Sequence, residues 1–335
     1  MDNKNRINEC YRYEPIEVTD KPLFSQEVDA TYVLHLEGNG RYESVLDQLQ
    51  QYPPTKIIYI AFNPGFRSCP KEDYVTISLQ DIVDAFIHVF IHAEEKGYRN
   101  ILVLEDDFFF DPCIRNEPEH VANIETFLRD KERSPSDKGR SPSDKGRSPS
   151  SENNFMYFLG SLPFLQRPVD WSCLHYSVSV TAGTHACIYS PAMRRNILSL
   201  DQKKIRDWDV YNNNSCKNRY GYHRPLCYQL FTATENQKNW IGSDGPYEAW
   251  NKWWGQMGVT IFNGFGLDKS IVPGYPFFYH TSKLIFFILW ILFFLVLYEI
   301  VKILCKKPKE IKKQWVLLLC LGILIVLPSY ILFRV

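Results

Sequence analysis

Asn100-Ile101-Leu102-Val103-Leu104-Glu105-Asp106-Asp107 is the stretch on which the reading of this 335-residue chain turns. The apolar run Ile101 to Leu104 reads as a buried strand, and three acids end it. Three consecutive carboxylates at a strand end crowd negative charge, which disfavours folding unless a cation or polar ligand answers it. Hard oxygen ligands at one point suit Mg²⁺ or Mn²⁺. In open α/β sheets, ligands bind outside the carboxyl ends of the strands, where this triplet stands. A solvated acidic turn is the alternative reading of the triplet alone.

The segments upstream extend the pattern. Thr31-Tyr32-Val33-Leu34-His35-Leu36 is an apolar, β-prone run, and Glu37-Gly38-Asn39-Gly40-Arg41 follows as a loop. A helix is expected from about Tyr42 to Gln51, ended by Pro53-Pro54. Lys56 to Phe62 is a second strand, stopped by Asn63-Pro64-Gly65. Leu79, Ile82, Val83, Phe86, Ile87 and Phe90 then share one helical face, and Lys96-Gly97 closes that helix. This β-α-β-α-β order predicts an α/β fold with a mostly parallel sheet flanked by helices. His88 and His92, at i and i+4 on the same helix, have metal-binding spacing. No Glu follows His88 as in H-E-x-x-H, so a packing role is expected.

Residues 134–151 repeat Ser-Pro-Ser-Asp-Lys-Gly-Arg and contain no apolar residue, which predicts a disordered insertion. Phe155 to Gly160 then reads as a further buried strand. Ser177 to Ser190 is a long β-prone stretch, and a helix is expected from Ala192 after Pro191. Arg206-Asp207-Trp208-Asp209-Val210-Tyr211 forms a second acidic site. The expected organisation is an N-terminal extension over 1–30, a catalytic-size domain over 31–282, and a hydrophobic tail over 283–335.

Two apolar runs fill that tail: 21 residues from Leu284 to Leu304 and 19 from Trp315 to Phe333. Both approach the ~20 residues that cross a bilayer, and the short Lys-rich link between them predicts a transmembrane hairpin. Net charge is zero over the whole chain. The tail is basic, so the remainder is mildly acidic, which argues against nucleic acid as a partner. Seven of the nine cysteines precede the tail, scattered and without a C-x-x-C pair. They form neither a disulfide framework nor a zinc site, although one or two disulfides are compatible with them. No apolar leader follows the polar N-terminus. The positive-inside rule would place the Lys-rich link in the cytosol and the domain across the membrane. The scattered cysteines and missing leader point instead to a cytosolic domain, the orientation expected here.

Taken in order, these motifs resemble glycosyltransferase family 25, the group containing lipopolysaccharide-type glycosyltransferases and collagen galactosyltransferases. The matching parts are Tyr32-Val33-Leu34-His35-Leu36 with Arg41, Leu104-Glu105-Asp106-Asp107, Leu159-Gly160, Gly183 to Ser190, the acids Asp207 and Asp209, and Pro225 followed by Gln229. The family often has Asn where His35 stands, and its Gly-Cys-x-x-Ser-His helix motif is matched here by His88 alone. The resemblance implies a GT-A fold and transfer of a sugar from a nucleotide-sugar donor, a UDP-sugar by expectation, to a glycan or protein hydroxyl. It implies Mn²⁺ or Mg²⁺ at Glu105 and Asp107, with His185 completing the metal shell or contacting a phosphate; a satisfied buried polar residue is the alternative reading of His185. An inverting reaction would need a carboxylate base, for which Asp209 is the first candidate and Asp207 the second. Arg41, Asp106, Trp208 and Gln229 are the expected donor-binding residues. A catalytically degenerate transferase fold that binds sugar or nucleotide without turnover is the alternative. A two-metal phosphoesterase is disfavoured, because the histidines form no recognisable ligand pairs.

Overall fold

The computed structural model describes residues 10–132, 153–205, 207–230 and 274–304. The repeat insertion, the end of the aromatic stretch beyond Leu230, the Lys-rich link and the run Trp315–Phe333 lie outside the described residues. Strands β1 (Arg12–Ile16), β2 (Ala30–Leu36), β3 (Ile58–Asn63), β4 (Ile101–Glu105), β6 (Met156–Pro168), β7 (His175–Tyr189) and β8 (Arg219–Tyr222) form one sheet in the order β1-β3-β2-β4-β7-β6-β8. A two-stranded sheet pairs β5 (Phe108–Phe110) with β9 (Cys227–Gln229). The helices are α1 (Tyr42–Gln51), α2 (Ser78–Glu95), α3 (Cys113–Asn116), α4 (Glu119–Glu132), α5 (Pro191–Leu198), α6 (Trp208–Ser215) and α7 (Gly274–Leu304).

The expected parallel order holds where the sequence showed it: β3, β2 and β4 run parallel, with Leu34 opposite Glu105. Beyond β4 the sheet turns mixed. Strand β7 pairs antiparallel with β4 and β6, while β8 pairs parallel with β6 and antiparallel with β7, closing that arm on itself. Side chains alternate between two cores. Leu102 and Leu104 face one cluster with Val33 and Ile60; Ile101 and Val103 face the other with Tyr32, Phe86 and Phe90. Burial on both faces explains why β4 reads as an unbroken apolar run.

The expectation of a separate N-terminal extension over 1–30 is corrected. Strand β1 is the antiparallel edge of the sheet on β3. As an edge strand it lacks an apolar run and tolerates Pro15. Tyr11 stacks on His88 at 4.3 Å and Tyr13 on His92 at 4.0 Å, so both helix histidines are packing partners of this edge. A disulfide joins Cys10 to Cys69, clasping the edge to the loop after β3. Beside it the buried Lys71 ammonium pairs with Asp81 and donates to Asn63 Oδ1 at 2.8 Å. Cutting this bond with Cys10→Ser/Cys69→Ser is expected to cost about 3 kcal/mol, because a long loop is freed in the unfolded chain. Denaturant titrations of the two forms read that difference; equal midpoints would show that the clasp is energetically idle.

The apolar run Leu284–Leu304 falls within α7. The segment Phe278–Tyr298 of that helix, 21 residues, is long and apolar enough to cross a membrane. The first turns of α7 pack on the domain: Phe278 and Tyr279 join Leu162 and Tyr228 in a third apolar cluster.

Candidate functional site

The three acids end β4 on the same side as the loop that follows β2, and this loop decides the fate of Asp106. Its Oδ2 accepts from the Leu36 amide at 3.0 Å, from Asn39 Nδ2 at 2.5 Å and from His35 Nδ1 at 3.1 Å. Its Oδ1 accepts from Arg41 Nη1 at 2.8 Å. Burial alone would raise its pKa, but the His35 hydrogen bond, the Arg41 charge and the other donors outweigh burial and hold it below the usual carboxylate range. The expected donor-binding role of Asp106 is therefore corrected: both oxygens are committed to fixing the loop that bears Arg41. His35 and Asn39 are the partners that make it so, and neither was assigned a role from sequence.

Asp107 has the opposite surroundings. It is 3% exposed. Its Oδ2 accepts from Gln229 Nε2 at 3.3 Å and from Arg41 Nη1 at 3.4 Å. Its Oδ1 is buried with no hydrogen-bond partner among the described residues. Burial, opposed by Arg41 and reinforced by Asp106, pushes the pKa up to about 7. Gln229 arrives by the pairing of β5 with β9, which sets Phe108 opposite Gln229, and the Leu230 amide donates to the Asp107 carbonyl at 2.7 Å.

Glu105, partly exposed, accepts from Thr184 Oγ1 at 3.4 Å. Burial of its carboxyl, then the charges of Asp107, Asp209 and Asp106, raise its pKa well above the usual range. Asp209 thus belongs to the same site, although 102 residues of chain separate it from Asp107. Its Oδ2 accepts from the Gly183 amide at 2.9 Å. Burial, then the charge of Asp207, raise its pKa to about 6 against the Gly183 and Thr184 hydrogen bonds. Thr184 touches both Glu105 and Asp209, a linking position that sequence reasoning left unassigned.

Asp207, Trp208 and Asp209 divide three tasks at the start of α6. Asp207, the second candidate base, is the N-cap, its Oδ1 accepting from the Val210 amide at 2.8 Å. Trp208 is 3% exposed, stacks on Phe86 at 4.5 Å and donates from Nε1 to Tyr189 Oη at 3.1 Å. It anchors the helix in the core, and its expected stacking on a donor sugar is corrected, because the ring is buried against its neighbours. Asp209 alone turns to the site.

His185 is fully buried, with Nε2 3.3 Å from the Cys227 carbonyl oxygen; that acceptor requires the proton on Nε2. Burial lowers its pKa to about 4, so the ring is neutral. Among the described residues, no three His, Cys, Asp or Glu side chains form a group able to hold a metal ion by themselves. Glu105, Asp107 and His185 are accordingly not a closed ligand set, and the neutral His185 spends its Nε2 proton on the Cys227 carbonyl. The chemistry of the acidic end still fits a hard divalent cation: oxygens only, like charges crowded together, and one buried carboxylate oxygen without a partner among the described residues.

Two glycines make the convergence possible. Gly183 has φ +79°, a conformation that favours glycine, and it aims its amide at Asp209. Gly160 lies against strand β9, where a methyl would overlap the Cys227 carbonyl oxygen. Gly160→Ala is expected to cost about 3 kcal/mol by forcing β9, and with it Gln229, away from β6. Thermal melts of the full chain measure it; an unchanged melting temperature would show that β9 yields freely.

No family model matches the sequence, and no curated protein matches it. Among solved structures, the chain is similar to a mannose-1-phosphate geranyltransferase from Thermus thermophilus, at 11% identity and a TM-score of 0.32, over 59% of this chain and 74% of that one. It is also similar to a glycosyltransferase involved in the glycosylation of the major capsid of PBCV-1, at 10% identity and a TM-score of 0.30, over 69% of this chain and 99% of that one. At these scores neither likeness carries weight for function.

Proposed function

We propose that this chain is a membrane-anchored, metal-dependent glycosyltransferase that moves a sugar from a nucleotide-sugar donor to a hydroxyl acceptor. The observation that carries the reading is the convergence of Glu105, Asp107 and Asp209 at the carboxyl end of β4, with Asp107 Oδ1 buried and unpartnered among the described residues. The motifs that resemble family 25 support it, because Glu105 and Asp107, Gly183 with Thr184, and Gln229 meet at this point.

Asp107 and Glu105 would hold Mn²⁺ or Mg²⁺, with donor phosphate oxygens supplying further ligands, as is usual for Mg²⁺ on one or two carboxylates. The ion, when bound, would neutralise charge on the departing nucleoside diphosphate. Asp209 takes the acceptor proton. Its pKa of about 6 lies close to neutral pH, where a general base works best. The acceptor oxygen bonds to the anomeric carbon as the bond to the diphosphate breaks, and the electron pair leaves with the nucleotide. Such a displacement by one base inverts the anomeric centre. Gly183 and Thr184 fix the Asp209 carboxylate, and Arg41 keeps Asp106 and Asp107 in place.

The α7 segment is read as the anchor. The Cys10–Cys69 disulfide favours an oxidising compartment for the domain. That agrees with a cytosolic Lys-rich link under the positive-inside rule and replaces the cytosolic orientation of the domain.

The test uses the purified full chain in detergent with a panel of nucleotide sugars and Mn²⁺. Release of nucleoside diphosphate from one donor, lost on chelation, is expected. Metal-dependent nucleotide binding by calorimetry without turnover of any donor would leave the degenerate binding protein as the better description. Absence of both would sink the site assignment itself.

A further inference from the structure

The arm formed by β6 and β7 runs alongside the first turns of α7. Gln166 Nε2 donates to the Tyr279 carbonyl at 3.1 Å. Lower down, Lys283 Nζ donates to the His223 carbonyl at 2.8 Å and lies 4.5 Å from the centre of the Tyr176 ring. Lower still, Pro168, Cys173 and Tyr176 of the arm share an apolar recess with Lys283, Phe286 and Phe287 of α7. The tip between the strands, residues 169–174, is therefore level with Phe286 and Phe287. On an α-helix those residues lie only about 3–5 Å beyond Leu284, where the long apolar run begins.

That tip carries Trp171, 50% exposed. Phe164 and Val180, further up the same arm, are 44% and 45% exposed. From Leu284 to Leu297, α7 presents a run of exposed apolar side chains continuous with the tip. A tryptophan at the depth where a membrane helix enters is the side chain that the bilayer interface selects. Several amides of the tip are paired within it, which favours shallow insertion. Asp170 Oδ1 accepts from the Ser172 amide at 2.9 Å, the Leu174 amide donates to Ser172 Oγ at 3.2 Å, and the Val169 amide donates to the His175 carbonyl at 2.9 Å.

We infer that the tip of the β6–β7 arm is a second membrane contact, which seats Trp171 in the lipid interface beside α7. The inference rests on the reading of α7 as a membrane anchor. The occupant is the bilayer itself, because the exposed apolar surface of the arm continues into that of the helix. Strand β7 also carries Gly183 and Thr184, seven and eight residues beyond Tyr176. A docked arm therefore holds the candidate site no more than about 26 Å from Tyr176, just above the bilayer surface, at about 3.3 Å per strand residue. Acceptor hydroxyls carried about that far above the membrane surface come within its reach.

The experiment reconstitutes the full chain in phosphatidylcholine vesicles containing alkyne-tagged phosphatidylcholine. The photo-reactive residue p-benzoylphenylalanine replaces Trp171, Leu289 in α7, or Ile57, in three separate proteins. Ile57 is exposed at the start of β3, toward the opposite edge of the sheet. Irradiation is expected to give tagged-lipid adducts at 289 and at 171, with about tenfold more at 171 than at 57 for an interfacial aromatic. Adducts at 289 with 171 no higher than 57 would overturn the arm contact while the anchor stands. No adduct at 289 would remove the anchor, and the proposal with it.

Discussion

Asp107→Asn should lower metal-dependent nucleotide release by about 10³-fold, the scale on which a preorganised charge acts at a water-poor site. The substitution is chosen because it isolates charge from shape. The amide keeps the volume of the carboxyl, and its oxygen can still accept from Gln229 Nε2 and Arg41 Nη1, now 3.3 and 3.4 Å from Asp107 Oδ2. What disappears is the negative charge at the oxygen that has no hydrogen-bond partner among the described residues. A hard cation gains little from an amide nitrogen in that position. The loss should appear as weaker Mn²⁺ binding by calorimetry as well as lower turnover, with the fold intact. Asp106→Asn is the informative contrast. It strips a carboxylate that already accepts four hydrogen bonds, so it should loosen the loop from Leu36 to Arg41 and lower the melting temperature. Turnover of Asp107→Asn within tenfold of wild type would remove Asp107 from the chemistry.

These neighbouring acids show what the sequence can and cannot disclose. The strand Ile101–Leu104 was legible because a strand buried on both faces must be apolar throughout, and the acids were legible because charge at its end is costly. Which of Asp106 and Asp107 faces the loop and which is left bare depends on where Asn39 and Arg41 fold back, and no local pattern records that. The Asp207-Trp208-Asp209 triplet was read as two candidate bases around a sugar platform. A helix starts there instead, so adjacent residues point to a cap, a core and a site. Strand β1 was missed because an edge strand needs no apolar run. One or two disulfides were left open, but the Cys10–Cys69 pairing was not legible because scattered cysteines carry no pairing information. Strand β7 antiparallel to β4 lay beyond reach for a similar reason: a β-prone stretch does not state its partner.

Without metal, Asp107→Asn should be more stable than wild type at neutral pH, and the gap should close as the pH falls. The folded protein raises the Asp107 pKa from 3.8 to about 7, mainly through burial, so between those values the folded state binds more protons than the unfolded one. Stability at this group therefore falls as pH rises, from no cost below about pH 4 to a full cost of about 4 kcal/mol above about pH 7. Asparagine carries no such cost. The variant should lead by about 4 kcal/mol near pH 7.5 and by less than about 2 kcal/mol near pH 5. Buried histidines act in the opposite sense: His175, His185 and His223 are each held near 4 by burial, so they destabilise the fold as the pH falls. They are common to both proteins and cancel in the difference, which is why the comparison is made between variants rather than along one pH curve. Mn²⁺ should reverse the order. By answering the charge it stabilises wild type, more strongly as the pH rises and the carboxyls ionise, and it leaves the variant nearly unmoved. Denaturant titrations at several pH values, with and without Mn²⁺, read both effects. A gap that stays constant with pH would mean that Asp107 is already ionised and satisfied in the folded protein, and the cation would then have no buried charge to answer.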